Sequence, residues 1–368
     1  MNLLMLSGDR SILQGKKGAF WYTLEELSRH WDRIDVICPY AGPAAPGSHN
    51  PFPHVFFHPS PYGLYRQPWW ILGKGTELVS KYRHSVMTVH EYPPFYNGIG
   101  ASWLSRKTRV PYALEIHHII GYPKAASCSE WIGRVLSHWY LRADARPAAA
   151  VRVVNGSVQT VLAKWRVPPE KIQIVPSFYL DADSLQPNWQ AEKKYDLIFC
   201  ARLVPNKGLR EVLRAMVALP HVSLLIIGDG PERVRQEQFV EKHRMTDRIH
   251  FTGWLPGRHE LADAMRSARV FVMNSSSEGG PRVLLEAMAL GLPVIATGVG
   301  IVPDVIHNGE NGIMTNGTAP DLAVKISALL ADEPLREQLG RQATRIIDQF
   351  ERQTAIRNYA EFLKAVSQ

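Results

Sequence analysis

Short apolar runs alternate with segments of helical spacing along this chain of 368 residues, most regularly in its second half. Residues 195–200, 222–227, 249–252 and 270–273 read as strands, each an apolar run too short for a helix and bounded by turn residues. Between them, 208–219 and 259–267 space their apolar residues three and four apart, which predicts helices, and the turn Gly228-Asp229-Gly230-Pro231 leads into a further helix expected over 232–243. Strand and helix alternating over short connections predict a parallel sheet wrapped by helices. After 270–273 the pattern predicts a turn through Ser277-Glu278-Gly279-Gly280 and a helix with Pro281 at its first position, where a missing N–H costs nothing. Gly291 stops that helix, Pro293 keeps it stopped, and 294–297 form a further strand. A loop at 298–303, a Gly/Asn turn at 308–312 and helices near 319–331 and 334–348 complete this half.

The first half shows the same pattern less clearly. Residues 3–7, 34–38, 55–58, 85–89 and 112–116 read as strands, a strand ends at Pro176, 19–30 as a helix, and the Pro- and Gly-rich 39–53 as a loop. Residues 131–142 place Trp131, Ile132, Val135, Leu136, Trp139 and Tyr140 on one helical stripe flanked by Arg134, His138 and Arg142. A core-facing helix is the ordinary reading of such a stripe, and a membrane contact the other. Asp, Ser, Pro, Asn and Gln cluster at 178–194, which predicts the junction between two domains.

The length suits two domains, and no apolar run approaches the roughly 18 residues a membrane span needs. The opening Leu3-Leu4-Met5-Leu6 has no basic segment before it and no cleavage site after it, so it reads as a first strand. Cys38, Cys128 and Cys200 are scattered and odd in number, signalling neither a disulfide framework nor a metal site and predicting a cytoplasmic protein. Charge is lopsided: residues 1–189 carry 20 Lys and Arg against 13 Asp and Glu, the remainder 22 against 21. Nine of ten Trp also fall in that first half. A basic, Trp-rich half suits an acidic or amphiphilic partner, an acidic membrane surface or a sugar cleft; nothing in it points to nucleic acid.

The candidate chemistry lies mainly in the second half. Glu286 sits in an otherwise apolar helix, where a carboxylate must find donors or reach an edge. Alone it reads as a salt bridge or a rim position, and Glu278 alone as an acid favoured by the helix dipole. Together, beside open N–H groups at a helix start, they fit a ligand carrying phosphate and hydroxyl groups, such as a nucleotide sugar. Ala201-Arg202-Leu203-Val204-Pro205-Asn206-Lys207-Gly208 follows the first strand of the second half, where parallel sheets place ligand sites. Arg202 and Lys207 can clasp a diphosphate there, or belong to a solvated basic loop.

These features resemble the retaining GT-B glycosyltransferases of family 4, in which two Glu eight positions apart precede helix, Gly-x-Pro and strand. Glu278, Glu286 and Gly291-Leu292-Pro293 match, as do Arg202 and Lys207. The resemblance implies an α/β GT-B fold: two Rossmann-like domains, 1–181 binding acceptor and 182–345 binding donor, facing across a cleft, with a C-terminal helix, 346–368, returning to the first. It implies that Glu286 holds the ribose, that Glu278 holds the transferred sugar, and that Arg202 and Lys207 stabilise the leaving diphosphate. The family usually has Gly where this chain has Pro281, which leaves the N–H groups of Gly280, Arg282 and Val283 for the donor, with Gly279 beside them as a further donor-binding residue. Gly228, in Gly228-Asp229-Gly230-Pro231, and Gly253-Trp254 fall where relatives contact the nucleotide, although an ordinary half-buried Trp also accounts for Trp254. His117 matches a family His set against the donor sugar, with His118 as its alternative; His90 falls where the acceptor would lie. Gly18, before the first helix, could offer N–H groups to phosphate.

The implied reaction moves a hexose from a UDP- or GDP-sugar to an acceptor hydroxyl with retention, without a metal or other cofactor. The implied acceptor is a polysaccharide, an oligosaccharide or a lipid-linked glycan, handled in the cytoplasm or at the inner face of the membrane. A nucleotide-sugar epimerase of the same fold, or a non-catalytic carbohydrate- or membrane-binding protein, are the other readings.

Overall fold

The structure, a computed structural model, describes residues 1–43, 48–123, 125 and 127–368. The chain divides into two compact units, one of residues 1–119, 132–177 and 353–368, the other of residues 120–131 and 178–352.

In the first unit the elements run β1 (Asn2–Leu6), α1 (Ala19–Leu27), β2 (Arg33–Cys38), β3 (Val55–Pro59), α2 (Gln67–Tyr82), β4 (Val86–His90), α3 (Tyr96–Thr108), β5 (Tyr112–Ile116), α4 (Cys128–Ala145, whose residues up to Trp131 are counted in the second unit), β6 (Ala150–Val153), α5 (Gly156–Lys164) and β7 (Ile172–Ile174). The strands pair in parallel in the order β3-β2-β1-β4-β5-β6-β7. β1 and β4 are buried through most of their length, as a parallel sheet covered on both faces requires. α2 and α3 were not legible as helices because each carries two glycines, which weaken helical propensity. The glycines let the two helices approach closely. A Cβ on Gly75 would stand 2.3 Å from Leu104, and one on Gly100 would stand 2.8 Å from Ile71.

In the second unit follow β8 (Tyr195–Cys200), α6 (Leu209–Val217), β9 (Leu224–Ile227), α7 (Arg233–Lys242), β10 (Ile249–Gly253), α8 (Arg258–Arg266), β11 (Ala268–Met273), α9 (Arg282–Ala289), β12 (Val294–Thr297), α10 (Val302–Val305), β13 (Ile313–Thr315), α11 (Ala319–Ala331), α12 (Glu333–Ala343) and α13 (Ile346–Phe350). This sheet is also parallel, in the order β10-β9-β8-β11-β12-β13. Successive strand residues feed two cores. Ile198, Leu225 and Phe271 pack on one face with Leu284, Leu285 and Met288 of α9, while Leu197, Leu224 and Val270 pack on the other with Val212 and Met216 of α6.

Three local expectations are corrected. The segment 298–303 is not all loop, because α10 begins at Val302. The helix expected over 334–348 is broken at Thr344–Arg345, where the next turn tightens to bonds from Ile347 N–H to Thr344 and from Asp348 N–H to Arg345, each 3.2 Å. Pro281 caps α9 rather than opening it; the helix starts at Arg282. The last helix, α14 (Arg352–Val366), belongs from Gln353 onward to the first unit, so the expected return of the C-terminal helix occurs.

Candidate active site

In the second unit the strand order reverses between β8 and β11, and a ligand crevice forms at the carboxyl ends of strands on such a reversal. Both candidate loops leave from there: Ala201–Gly208 from β8 and Asn274–Pro281 from β11. They are stitched together. The Ser276 N–H donates to the Asn206 carbonyl at 2.8 Å, and Asn274 Nδ2 donates to the carbonyls of Gly208 at 3.3 Å and Gly317 at 3.1 Å.

This stitching brings Lys207 onto Glu278 as a hydrogen-bonded ion pair, both side chains largely buried. Ser275 Oγ donates to the same carboxylate at 2.7 Å. Arg202 is exposed on the cleft wall and, among the described residues, makes no ion pair. Pro281 has no N–H, and the N–H groups of Gly280, Arg282 and Val283 stand at the start of α9 without partners among the described residues, where the helix dipole favours an anion. Arg202, Lys207, Ser275, Glu278, Gly280, Arg282 and Val283 line one cleft of about 710 Å3. The floor is fitted closely at Gly280, where a Cβ would strike the Phe178 ring.

Glu286 found its donor in Arg282, whose Nε lies 2.9 Å away, so the salt bridge expected of an isolated Glu is present. The pair opens onto a smaller recess of about 330 Å3, while Arg282 also lines the larger cleft. The Gly279 carbonyl accepts the Ile301 N–H at 3.1 Å. Gly228, Gly253 and Trp254 come together at the ends of β9 and β10. The Gly228 N–H is already taken by the Gly253 carbonyl at 2.9 Å. Gly228 has φ +131° with its Cα against the Ala201 carbonyl, a position open only to glycine. Trp254 is 58 % exposed, not half-buried as expected, because β10 ends at Gly253 and releases the ring to solvent.

The first unit gathers His90 and His117, and a residue that sequence reading did not single out organises them. Glu115, fully buried on β5, accepts from Arg152 Nη1 at 2.8 Å and His117 Nε2 at 3.1 Å, and from the hydroxyls of Thr88 and Tyr359; His90 Nε2 lies 3.3 Å away. Burial alone would push this carboxyl up, but the Arg152 guanidinium, the charge of His90 and the His117 and His90 hydrogen bonds outweigh it and hold the group well below the usual range. The ligand atoms of His90, Glu115 and His117 lie within 4.8 Å of one another, close enough for a metal. Yet the one carboxylate is already neutralised by Arg152, and a cation added there would face a guanidinium. His118 is exposed, and Gly18 is the N-cap of α1 with open space where a Cβ would stand. The missed signal was Arg152, a lone cation in the apolar strand Ala150-Val151-Arg152-Val153, which needs a buried partner.

Two family descriptions match the chain: glycosyltransferase family 4 over residues 20–179 and glycosyl transferases group 1 over residues 182–346. The chain is 26 % identical over 353 residues to the sulfoquinovosyl transferase SQD2 of Arabidopsis thaliana, covering 90 % of this chain and 66 % of that protein. It is 32 % identical over 164 residues to the lipopolysaccharide core biosynthesis glycosyltransferase LpsE of Rhizobium meliloti, covering 44 % of this chain and 47 % of that one. The chain thus spans less than two thirds of the length of these relatives. Among solved structures, it is similar to a sucrose-phosphate synthase from Thermosynechococcus elongatus, with TM-score 0.81 and 20 % identity over 99 % of this chain and 98 % of that one. Anabaena HepE in complex with UDP gives TM-score 0.77 and 19 % identity over 99 % and 100 %. The fold is GT-B, and the chain belongs to the family 4, group 1 glycosyltransferases.

Proposed function

We propose that the protein transfers a hexose from a UDP- or GDP-sugar to an acceptor hydroxyl with retention of configuration, in polysaccharide or glycolipid synthesis. One observation carries this reading: Lys207, Arg202 and the open start of α9 share a cleft with Glu278. Fixed positive groups aimed at a diphosphate stabilise the charge that develops as it leaves. In this scheme Arg202 takes the phosphates bidentately and Lys207 acts as a point charge. Gly279, Gly280, Arg282 and Val283 supply backbone groups, Glu278 holds sugar hydroxyls, and Glu286 holds the ribose. Gly228, Gly253 and Trp254 flank the nucleotide, and Gly18 serves phosphate. The first unit contributes His117, with His118 as the alternative, and His90 on the acceptor side. The departing phosphate takes the acceptor proton on the face it leaves.

The name of LpsE, a lipopolysaccharide core biosynthesis glycosyltransferase, supports a lipid-linked or envelope acceptor. So does a second groove in the first unit, about 870 Å3, lined by Tyr62, Tyr65, Arg66, Trp69 and Trp70, whose rings and guanidinium suit a sugar or amphiphile. A cytoplasmic setting at an acidic membrane surface fits that acceptor. Screening nucleotides and nucleotide sugars for thermal stabilisation, then following donor consumption and product anomer by NMR, tests the reading, because ligands of the native state raise its melting temperature. No stabilisation by any nucleotide and no consumption over a broad acceptor panel would overturn it. An isomerised donor formed without acceptor would favour an epimerase instead.

A further inference from the structure

α4 is turned the opposite way from the core-facing helix expected of its sequence. Trp131, Ile132, Val135, Leu136, Trp139 and Tyr140 are between 40 % and 66 % exposed, while Ser137, Leu141, Asp144 and Ala145 face inward. The small and polar side of the helix is buried and its aromatic and branched side meets water, which is unfavourable in proportion to area. Contiguous apolar surface of this kind on a folded chain marks an interaction face.

The flanks say what the face meets. Arg142 borders the stripe, Arg146 continues its exposed side one turn on, and among the described residues neither is in an ion pair, whereas Arg134 falls on the inward side with Ser137 and Leu141. Trp and Tyr on an apolar face with arginines beside them is the composition of a helix lying in the plane of lipid headgroups. No described helix is long and apolar enough to cross a membrane, so contact with one would have to be of this lying kind. A second copy of the chain fits less well, since a two-fold pairing would set one arginine-flanked face against another. A glycan would find Ile, Val and Leu where it needs hydrogen-bonding groups.

We propose that α4 is the membrane-docking element of this protein, its apolar stripe seated among the headgroups of an anionic lipid leaflet with Arg142 and Arg146 on the phosphates. This deepens the reading of a lipid-linked or envelope acceptor and rests on it only for its purpose. Flotation needs neither donor nor acceptor, so its failure would leave the transferase reading standing. The test floats the full chain with vesicles of phosphatidylcholine alone and with phosphatidylglycerol added.

The expected result is co-flotation with the anionic vesicles, weakened by salt. Leu136→Glu with Trp139→Glu should cut the bound fraction roughly tenfold or more, and Arg142→Gln with Arg146→Gln should abolish the salt dependence. Both variants should keep nucleotide-induced thermal stabilisation. If the acidic pair loses its cooperative melt, the arginine pair decides alone. The inference is overturned if the unaltered chain floats with neither vesicle. It is equally overturned if the variants float as well as the unaltered chain, or if the face proves to hold a dimer that the acidic pair splits without any flotation.

Discussion

Replacing Lys207 by Ala removes more than one positive charge. Lys207 and Glu278 have side chains only 18 % and 13 % exposed, and Ser275 also donates a hydrogen bond to that carboxylate. The substitution therefore leaves a nearly buried anion beside the place proposed for a diphosphate. Loss of one preorganised charge at a leaving group costs about 10²–10³ in kcat. The freed Glu278 adds repulsion: two unit charges about 4 Å apart interact by roughly 4 kcal/mol at the effective dielectric of a partly buried site. Lys207→Ala should accordingly weaken nucleotide diphosphate binding as well as turnover. Lys207→Ala with Glu278→Gln should bind the nucleotide better than Lys207→Ala alone, because Gln keeps hydrogen-bonding capacity without the charge. Calorimetry with whichever of UDP or GDP stabilises the protein, alongside steady-state rates, reads both effects. Near-normal turnover of Lys207→Ala would refute the clasp, and strictly additive losses in the double variant would refute the coupling through Glu278.

Further expectations follow from other side chains. Glu286→Ala should weaken nucleotide binding by about ten- to a hundredfold, the worth of hydrogen bonds to a charged group; unchanged calorimetric affinity would remove Glu286 from the ribose role. Tyr359→Phe, which deprives the buried Glu115 of one hydroxyl donor, should lower stability in urea by about 1.5–3 kcal/mol, and an unaltered midpoint would show the bond to be idle. Asp144 and Glu91 converge over Gly98, with Asp144 Oδ2 and Glu91 Oε2 unpartnered among the described residues, and burial lifts the Asp144 carboxyl from 3.8 to about 7. Between those two values the folded chain holds a proton that the unfolded chain has lost, so stability falls as pH rises through the window and stays reduced above it. Asp144→Asn should flatten that slope and gain up to ~4 kcal/mol at pH 8 while changing little at pH 4; parallel profiles in thermal melts would contradict this.

Much of the second unit could be read in the sequence, because strands buried on both faces of a parallel sheet are continuous apolar runs. β8, β9, β11 and β12 are largely such runs, whereas the edge strand β10 alternates apolar and polar and β13 is three residues long and shows no period. In the first unit α2 and α3 were hidden by glycines that exist for close packing. The stripe on α4 was legible, but periodicity shows only that a helix has an apolar face, not whether core or solvent lies against it. At the site, residue types were readable and pairings were not. Lys207 and Glu278 lie 71 positions apart and meet only because β8 and β11 are neighbours. Glu115 draws partners from β4, β6 and α14 as well as its own strand's end, and no local pattern announces a centre assembled from separate elements.

The bond from Tyr359 to Glu115 joins residues 244 positions apart within one unit. During synthesis, the first unit must therefore wait, holding a sequestered anion short of one donor, until Tyr359 has left the ribosome. Chaperone dependence of the nascent chain should concentrate in that interval. Amide exchange along β5 in a chain truncated before Gln353 would measure how loose the waiting state is; protection equal to that of the intact chain would show that the domain closes without its last helix.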